Sequence, residues 1–176
     1  MSLRLPIWLW RPDDGRWSDG RVDAPQGGTM TSDLSEFREL YHRSLEAFTR
    51  GDAEATKPLW SPRDDVTLAN PLGPPVRGRD QVHQLMDRTA AQLSGGEGLV
   101  VETVAVYETG DLAYDVVTEH CRARLGDAAQ AMPISLRVTS IFRREDGQWR
   151  IVHRHADPIT NARPIQSIAQ PGGPAS

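Results

Sequence analysis

The chain has one cysteine, Cys121, and one lysine, Lys57, in 176 residues. A single cysteine excludes an internal disulfide. Cys121 sits in a strand-like run with nothing in the sequence to depress its thiol, so it reads as a small buried or half-buried side chain. With one lysine, arginine carries nearly all the positive charge. No charge of either sign is concentrated into a run, and the net charge is −4. That balance leaves no electrostatic footprint for nucleic acid. No stretch is apolar enough to span a membrane. The opening, Met1 to Trp10, carries Arg4 and is broken by Pro6, too short and interrupted for a signal peptide. A soluble cytoplasmic protein is the expectation.

What is present is organised late. Residues 1–30 mix Trp8, Trp10 and Trp17 with Asp, Gly, Pro and Arg and show no period. They read as a disordered or dispensable leader, ending in the linker-like Ala24 to Thr29 before Met30. The domain is expected over 31–160, and 161–176 reads as a flexible tail. Asp33 with Glu36 resembles a capping box. Leu34, Phe37, Leu40, Tyr41, Ser44, Leu45 and Phe48 follow at helical spacing, and Gly51 stops the helix. Asp52 is expected to start a short second helix to about Lys57. Val66 to Ala69 reads as a strand, and Gly78 to about Leu93 as another helix. Strand-like runs follow at Leu99–Tyr107, Leu112–Leu125, Ile134–Phe142 and Trp149–Asp157, the last two joined by the tight-turn pair Asp146-Gly147. Helices first and a meander after them predict an α+β fold.

Three pieces, in order and spacing, carry a family resemblance: Gly51-Asp52 after the first helix, Asn70-Pro71-Leu72-Gly73 followed by Val76-Arg77-Gly78, and Asp146 to His153. Over about 33–160 the chain resembles the SnoaL-like and ketosteroid-isomerase-like branch of the nuclear-transport-factor-two-like superfamily. The resemblance implies a cone-shaped α+β barrel, a curved mixed sheet wrapped around the N-terminal helices. It also implies a pocket between sheet and helices, and dimerisation through the outer sheet face.

Candidate chemistry is sparse. By resemblance, the position of Asn70 holds the isomerase's catalytic aspartate. An amide cannot serve as that base, although it can hydrogen-bond a carbonyl or form the turn before Pro71. Ser140 interrupts the apolar face Ile134, Leu136, Val138 and Phe142, so it borders a cavity or finds a core partner. By resemblance, neither the isomerase's oxyanion acid nor a pocket arginine of the kinase association domains stands there. Tyr41 and Ser44 face the same interior, Ser44 matching the isomerase tyrosine.

On the last strand, simple alternation groups Trp149, Ile151, His153, His155 and Asp157 on one face and Val152, Arg154 and Ala156 on the other. Resemblance to the association domains places Arg154 inside and the histidines at the partner face. Alternatively, His155 oriented by Asp157 or Glu119 is a general base. On the long strand, if Tyr114 and Val116 face the pocket, His120 follows toward its mouth and Glu119 points away. His153, His155 and His120 make only a weak metal site, so no metal and no cofactor is expected.

These residues lead to an apolar pocket lined by Phe37, Tyr41, Leu68, Met86, Val138 and Phe142, with polar points at Asn70, Ser140, Arg154 and His120. The expected ligand is an apolar polyketide- or terpenoid-like small molecule. The activity, if any, is of isomerase, cyclase or hydrolase type. The alternative is a non-catalytic ligand-binding or dimerisation domain.

Overall fold

The computed structural model describes residues 8–11, 16–19 and 32–168. Backbone contacts divide the chain into Met1–Ser32 and Asp33–Ser176. In the first unit, β1 (Trp8–Arg11) pairs antiparallel with β2 (Arg16–Asp19), placing Trp10 opposite Trp17. Residues 8–19 therefore include a two-stranded ribbon where no sequence period announced one. The rest of the leader and the end of the tail lie outside the described residues; within the tail, Ile165–Ile168 forms a 3-10 turn.

The second unit begins with α1 (Ser32–Thr49). It starts one residue before Asp33, which sits in the first turn and pairs with Arg144. Leu34, Tyr41 and Leu45 are buried along one stripe, while Leu40, expected on that face, is 46% exposed. Gly51 ends the helix with φ of +98°, and a Cβ there would meet the Leu93 carbonyl at 2.9 Å. Glycine is thus required both by the turn and by the approach of the later strand. The expected helix after Asp52 is a pair of turns and a 3-10 turn at Lys57–Leu59, because Pro58 leaves too few residues for α-helical bonds.

The six-stranded sheet follows the order β4-β3-β8-β7-β6-β5. β3 (Thr67–Ala69) runs parallel to β8 (Gln148–Asp157) and antiparallel to the two-residue β4 (Val76–Arg77). β5 (Leu93–Thr109), β6 (Leu112–Leu125), β7 (Met132–Glu145) and β8 form an antiparallel meander. Between β4 and β5 lies α2 (Arg79–Ala90), which buries Val82, Met86 and Ala90. The sheet is open, so the barrel expected from the sequence does not close. One sheet face packs on both helices, through a core that includes Leu34, Tyr41, Val66, Val82, Phe142 and Ile151. The turn between β7 and β8 is the expected one, with Asp146 at φ 50° and Gly147 at φ 78°.

Two register features decide which side chains face inward. On β8 the pairing shifts between Ile141 and Phe142: Ile151 pairs with Phe142 but His153 pairs with Ile141, leaving Val152 as the extra residue of a bulge. Simple alternation therefore fails on β8. Trp149 and Ile151 are buried, and after the bulge Arg154 and Ala156 share their inner face. His153 and His155 go outward. On β6 the inner residues are Ala113, Asp115, Val117 and Glu119, all buried. That reverses the conditional expectation that Tyr114, Val116, Thr118 and His120 line the interior.

Candidate functional site

Between the inner sheet face, α1 and α2 lies a cavity of about 590 Å³. Its wall is mostly apolar, with Leu45, Trp60, Leu68, Met86, Leu136 and Ala156 among the lining residues. The lining side chains that carry charge are Glu119 and Arg154. They form a bidentate pair: Arg154 Nη1 donates to Glu119 Oε1 at 2.8 Å and Nη2 to Oε2 at 2.7 Å. Arg154 Nη1 also donates to the Tyr41 hydroxyl at 2.9 Å. This geometry depends on the Val152 bulge, which turns Arg154 inward, and on the inward parity of Glu119.

The electrostatics follow from burial. Burial pushes the Tyr41 phenol up to about 12 even though Arg154 beside it pulls the other way. The phenol is therefore protonated at neutral pH and keeps its O–H for donation. For Arg154, burial disfavours the charge, but Glu119 and then Tyr41 more than offset it, and the guanidinium is held charged. The pair is neutral as a unit. Because both oxygens of Glu119 are engaged, the site presents donors more readily than an unoccupied base. Cys121 lines the same cavity, and its thiol is pushed up by burial and by Glu119.

The other candidate residues separate clearly. Asn70 lines the cavity, but its amide is committed: Nδ2 donates to Thr89 Oγ1 at 3.1 Å and Oδ1 accepts from Leu72 N–H at 3.0 Å. It is thus both a turn residue and part of the wall. Met86 lines the cavity. Ser44 is turned into its own helix, where its hydroxyl donates to the Tyr41 carbonyl and meets Thr56 Oγ1. Val138 and Phe142 are core residues and Ser140 is 1% exposed; none is among the cavity-lining residues.

His120 and His155 lie on the opposite sheet face from Glu119 and Arg154. His120 Nδ1 bonds the Ser135 hydroxyl, and His155 lies 4.0 Å from Asp157. The oriented pair of His155 with Glu119 is thereby excluded. His153 meets Thr67 Oγ1 at 2.7 Å, and its imidazole is lowered by burial and by the neighbouring His155. Among the described residues no cluster of three His, Cys, Asp or Glu side chains is placed to hold a metal ion.

Sequence reasoning did not single out Asp115, and it considered Glu119 only as a partner of His155 or as pointing away from the pocket. Asp115 is fully buried on the same sheet face, with Oδ2 accepting from Arg38 Nε at 3.0 Å. Arg38 also donates to Thr103 Oγ1 at 3.2 Å. A signal for both carboxylates was present: Ala113, Asp115, Val117 and Glu119 alternate with Tyr114, Val116, Thr118 and His120. Both sets contain apolar residues, so hydrophobicity alone did not choose between them.

No curated protein matches the chain. Among solved structures it is similar to a ketosteroid isomerase-like protein from Erwinia carotovora atroseptica, at 18% identity and a TM-score of 0.64, covering 77% of this chain and 100% of that one. A nuclear transport factor 2 (NTF2-like) superfamily protein from Salmonella enterica serovar Typhimurium is 20% identical with a TM-score of 0.59, over 72% of this chain and 89% of that one. An NTF2-like protein of unknown function in nutrient uptake from Rhodospirillum rubrum is 23% identical with a TM-score of 0.55, over 72% and 98%. At these identities the likeness establishes the fold. The SnoaL-like domain model matches residues 38–160. The chain belongs to the SnoaL-like domain family, and its fold is the NTF2-like one.

Proposed function

We propose that the cavity binds a neutral, largely apolar small molecule of polyketide or terpenoid type, with its polar end held by Tyr41 and Arg154. One observation carries this reading: the charged groups lining an otherwise apolar cavity are already paired with each other. A charged ligand would have to break that pair, whereas a carbonyl or hydroxyl oxygen can accept from the Tyr41 O–H without doing so. Turnover of isomerase, cyclase or hydrolase type would then use the protonated Tyr41 as the group that polarises or protonates the ligand oxygen. Glu119 becomes a base only when Arg154 releases it.

The test uses Cys121 as a reporter of occupancy. A panel of apolar ketones and alcohols is screened for protection of Cys121 against a maleimide. Leu136→Trp, which fills the cavity, and Arg154→Met are run in parallel. Protection that Leu136→Trp abolishes and Arg154→Met weakens supports the reading. Ligands that bind the Leu136→Trp protein undiminished would refute it.

A second reading rests on the outer sheet face, where Val100, Tyr107, Leu112 and Tyr114 are exposed and Tyr107 stacks on Tyr114 at 5.7 Å. We propose that this face forms a homodimer interface. Sedimentation of the native chain against Tyr114→Glu tests it: a dimer that becomes a monomer supports the interface.

A further inference from the structure

Five buried side-chain polar atoms have no hydrogen-bond partner among the described residues. Two are the indole nitrogens of Trp60 and Trp149. The other three, Asp115 Oδ1, Ser140 Oγ and His42 Nε2, belong to one cluster outside the cavity wall. Asp115 and Ser140 are directly paired across β6 and β7 on the inner face, and Ser140 is paired in turn with Arg154 across β7 and β8. Directly opposite side chains have Cβ atoms about 5 Å apart. His42 lies one helical turn beyond Arg38 on α1, and its Nε2 is 3.8 Å from Asp115 Oδ2. That distance is too long for a hydrogen bond and suits a bridged contact.

Orphan polar atoms scattered through a core are each costly, and three on neighbouring side chains mark a candidate site. They supply two acceptors or donors of variable sense, Ser140 and His42, and one fixed acceptor in the Asp115 carboxylate. An internal water typically makes about three such bonds. We propose that Asp115 Oδ1, Ser140 Oγ and His42 Nε2 together hold one internal water, and that this water links the Tyr41 hydroxyl at the cavity wall to the partly exposed imidazole of His42. Ser140 is the direct cross-strand neighbour of Arg154, whose Nη1 donates to the Tyr41 hydroxyl at 2.9 Å. The His42 side chain is 21% exposed, so the chain of polar groups ends at solvent. A proton released at Tyr41 can thus be replaced by one taken up at His42, each link exchanging one hydrogen bond for another. The inference rests on these side chains and not on what the cavity binds.

The test joins a high-resolution crystal structure of the full chain to solution measurements on Ser140→Val, which fills the space and removes the hydroxyl. The expected structure shows a water within about 2.7–3.2 Å of Asp115 Oδ1 and Ser140 Oγ. Water relaxation dispersion then counts one fewer long-lived internal water in Ser140→Val. By NMR, exchange of the Tyr41 hydroxyl proton with solvent slows by roughly tenfold, the scale of losing one hydrogen-bonded link. A direct Ser140–Asp115 hydrogen bond with no water between them would overturn the site. A water present in the wild type with unchanged Tyr41 exchange in Ser140→Val would overturn the link. Ser140→Ala, which is smaller than the native side chain, repeats the exchange measurement if the valine does not fold.

Discussion

Two arginine–carboxylate pairs sit on the same inner sheet face, and they live in different surroundings. Arg154–Glu119 borders the cavity, with both carboxylate oxygens bonded and the Tyr41 hydroxyl completing the set. Arg38–Asp115 is sealed between α1 and the sheet, with one carboxylate oxygen bonded to arginine and the other without a partner. The first pair has open space beside it. The second has nowhere to move, so its role is to fix α1 on β6 and to present Oδ1 to the groups beside it. The two pairs differ in access, not in charge.

The largest expected effect comes from breaking the sealed pair. Asp115→Ala leaves the Arg38 guanidinium buried without a counter-charge, and removing one partner of a buried pair costs about 3–5 kcal/mol. Denaturant unfolding measures it. Replacing both partners, as in Arg38→Met with Asp115→Leu, should recover most of that loss, because no uncompensated charge remains. If the single variant costs no more than a surface substitution, the contrast between the two pairs fails.

Breaking the cavity pair should cost less. Glu119→Leu leaves Arg154 beside a cavity that water can enter, and the expected loss is about 2 kcal/mol, below that of the sealed pair. The same variant exposes an unpaired cation to the cavity, so its ligand preference should move from neutral molecules toward carboxylates. Measuring affinities for an apolar alcohol and its matching acid in wild type and variant checks this.

These carboxylates also show how far the sequence could be read. Helix α1, the meander and the Asp146-Gly147 turn were legible because each has a local cause: an apolar stripe at helical spacing, alternating β-branched residues, a pair tolerant of positive φ. Tyr41, Arg154, Asn70 and Met86 all line the cavity. The polar partners were not legible, for two reasons of register. On β6 both alternating sets carry apolar residues, and only pairing with β7 selects the one that contains Glu119. On β8 the Val152 bulge changes the phase in mid-strand, so the pattern that buries Trp149 and Ile151 does not extend to His153 and His155. A one-residue slip moves every later side chain to the other face, and no local signal marks where it occurs. The assignment of His120 to the pocket mouth failed for the first reason.

Tyr41 provides a pH-dependent comparison between the folded and unfolded chain. Its pKa rises from the ordinary 10.0 to about 12 on folding. The stabilisation linked to its proton is therefore fully present below pH 10 and is lost as pH rises from 10 toward 12, because the unfolded chain ionises first. Two pKa units correspond to about 2–3 kcal/mol. The difference in unfolding free energy between wild type and Tyr41→Phe should be flat below that window and should shift by this amount across it. Spectrophotometric titration should show one fewer late-ionising phenol in Tyr41→Phe. A difference that stays constant through the window would mean that Tyr41 ionises as readily in the folded chain as in the unfolded one.

The smallest effect should fall on Ser140, although it is as deeply buried as Asp115. Removing a neutral hydroxyl leaves no charge behind, and its loss takes away one hydrogen bond at most. Ser140→Ala should therefore cost no more than about 1 kcal/mol, against several for Asp115→Ala. The two residues are direct cross-strand neighbours on one face, so their packing environments are closely matched. A difference in cost between them measures what the Arg38–Asp115 pairing adds beyond burial. If Ser140→Ala proved as damaging as Asp115→Ala, the hydroxyl would be holding Asp115 in place, and the sealed pair would depend on its neighbour on β7 as much as on Arg38.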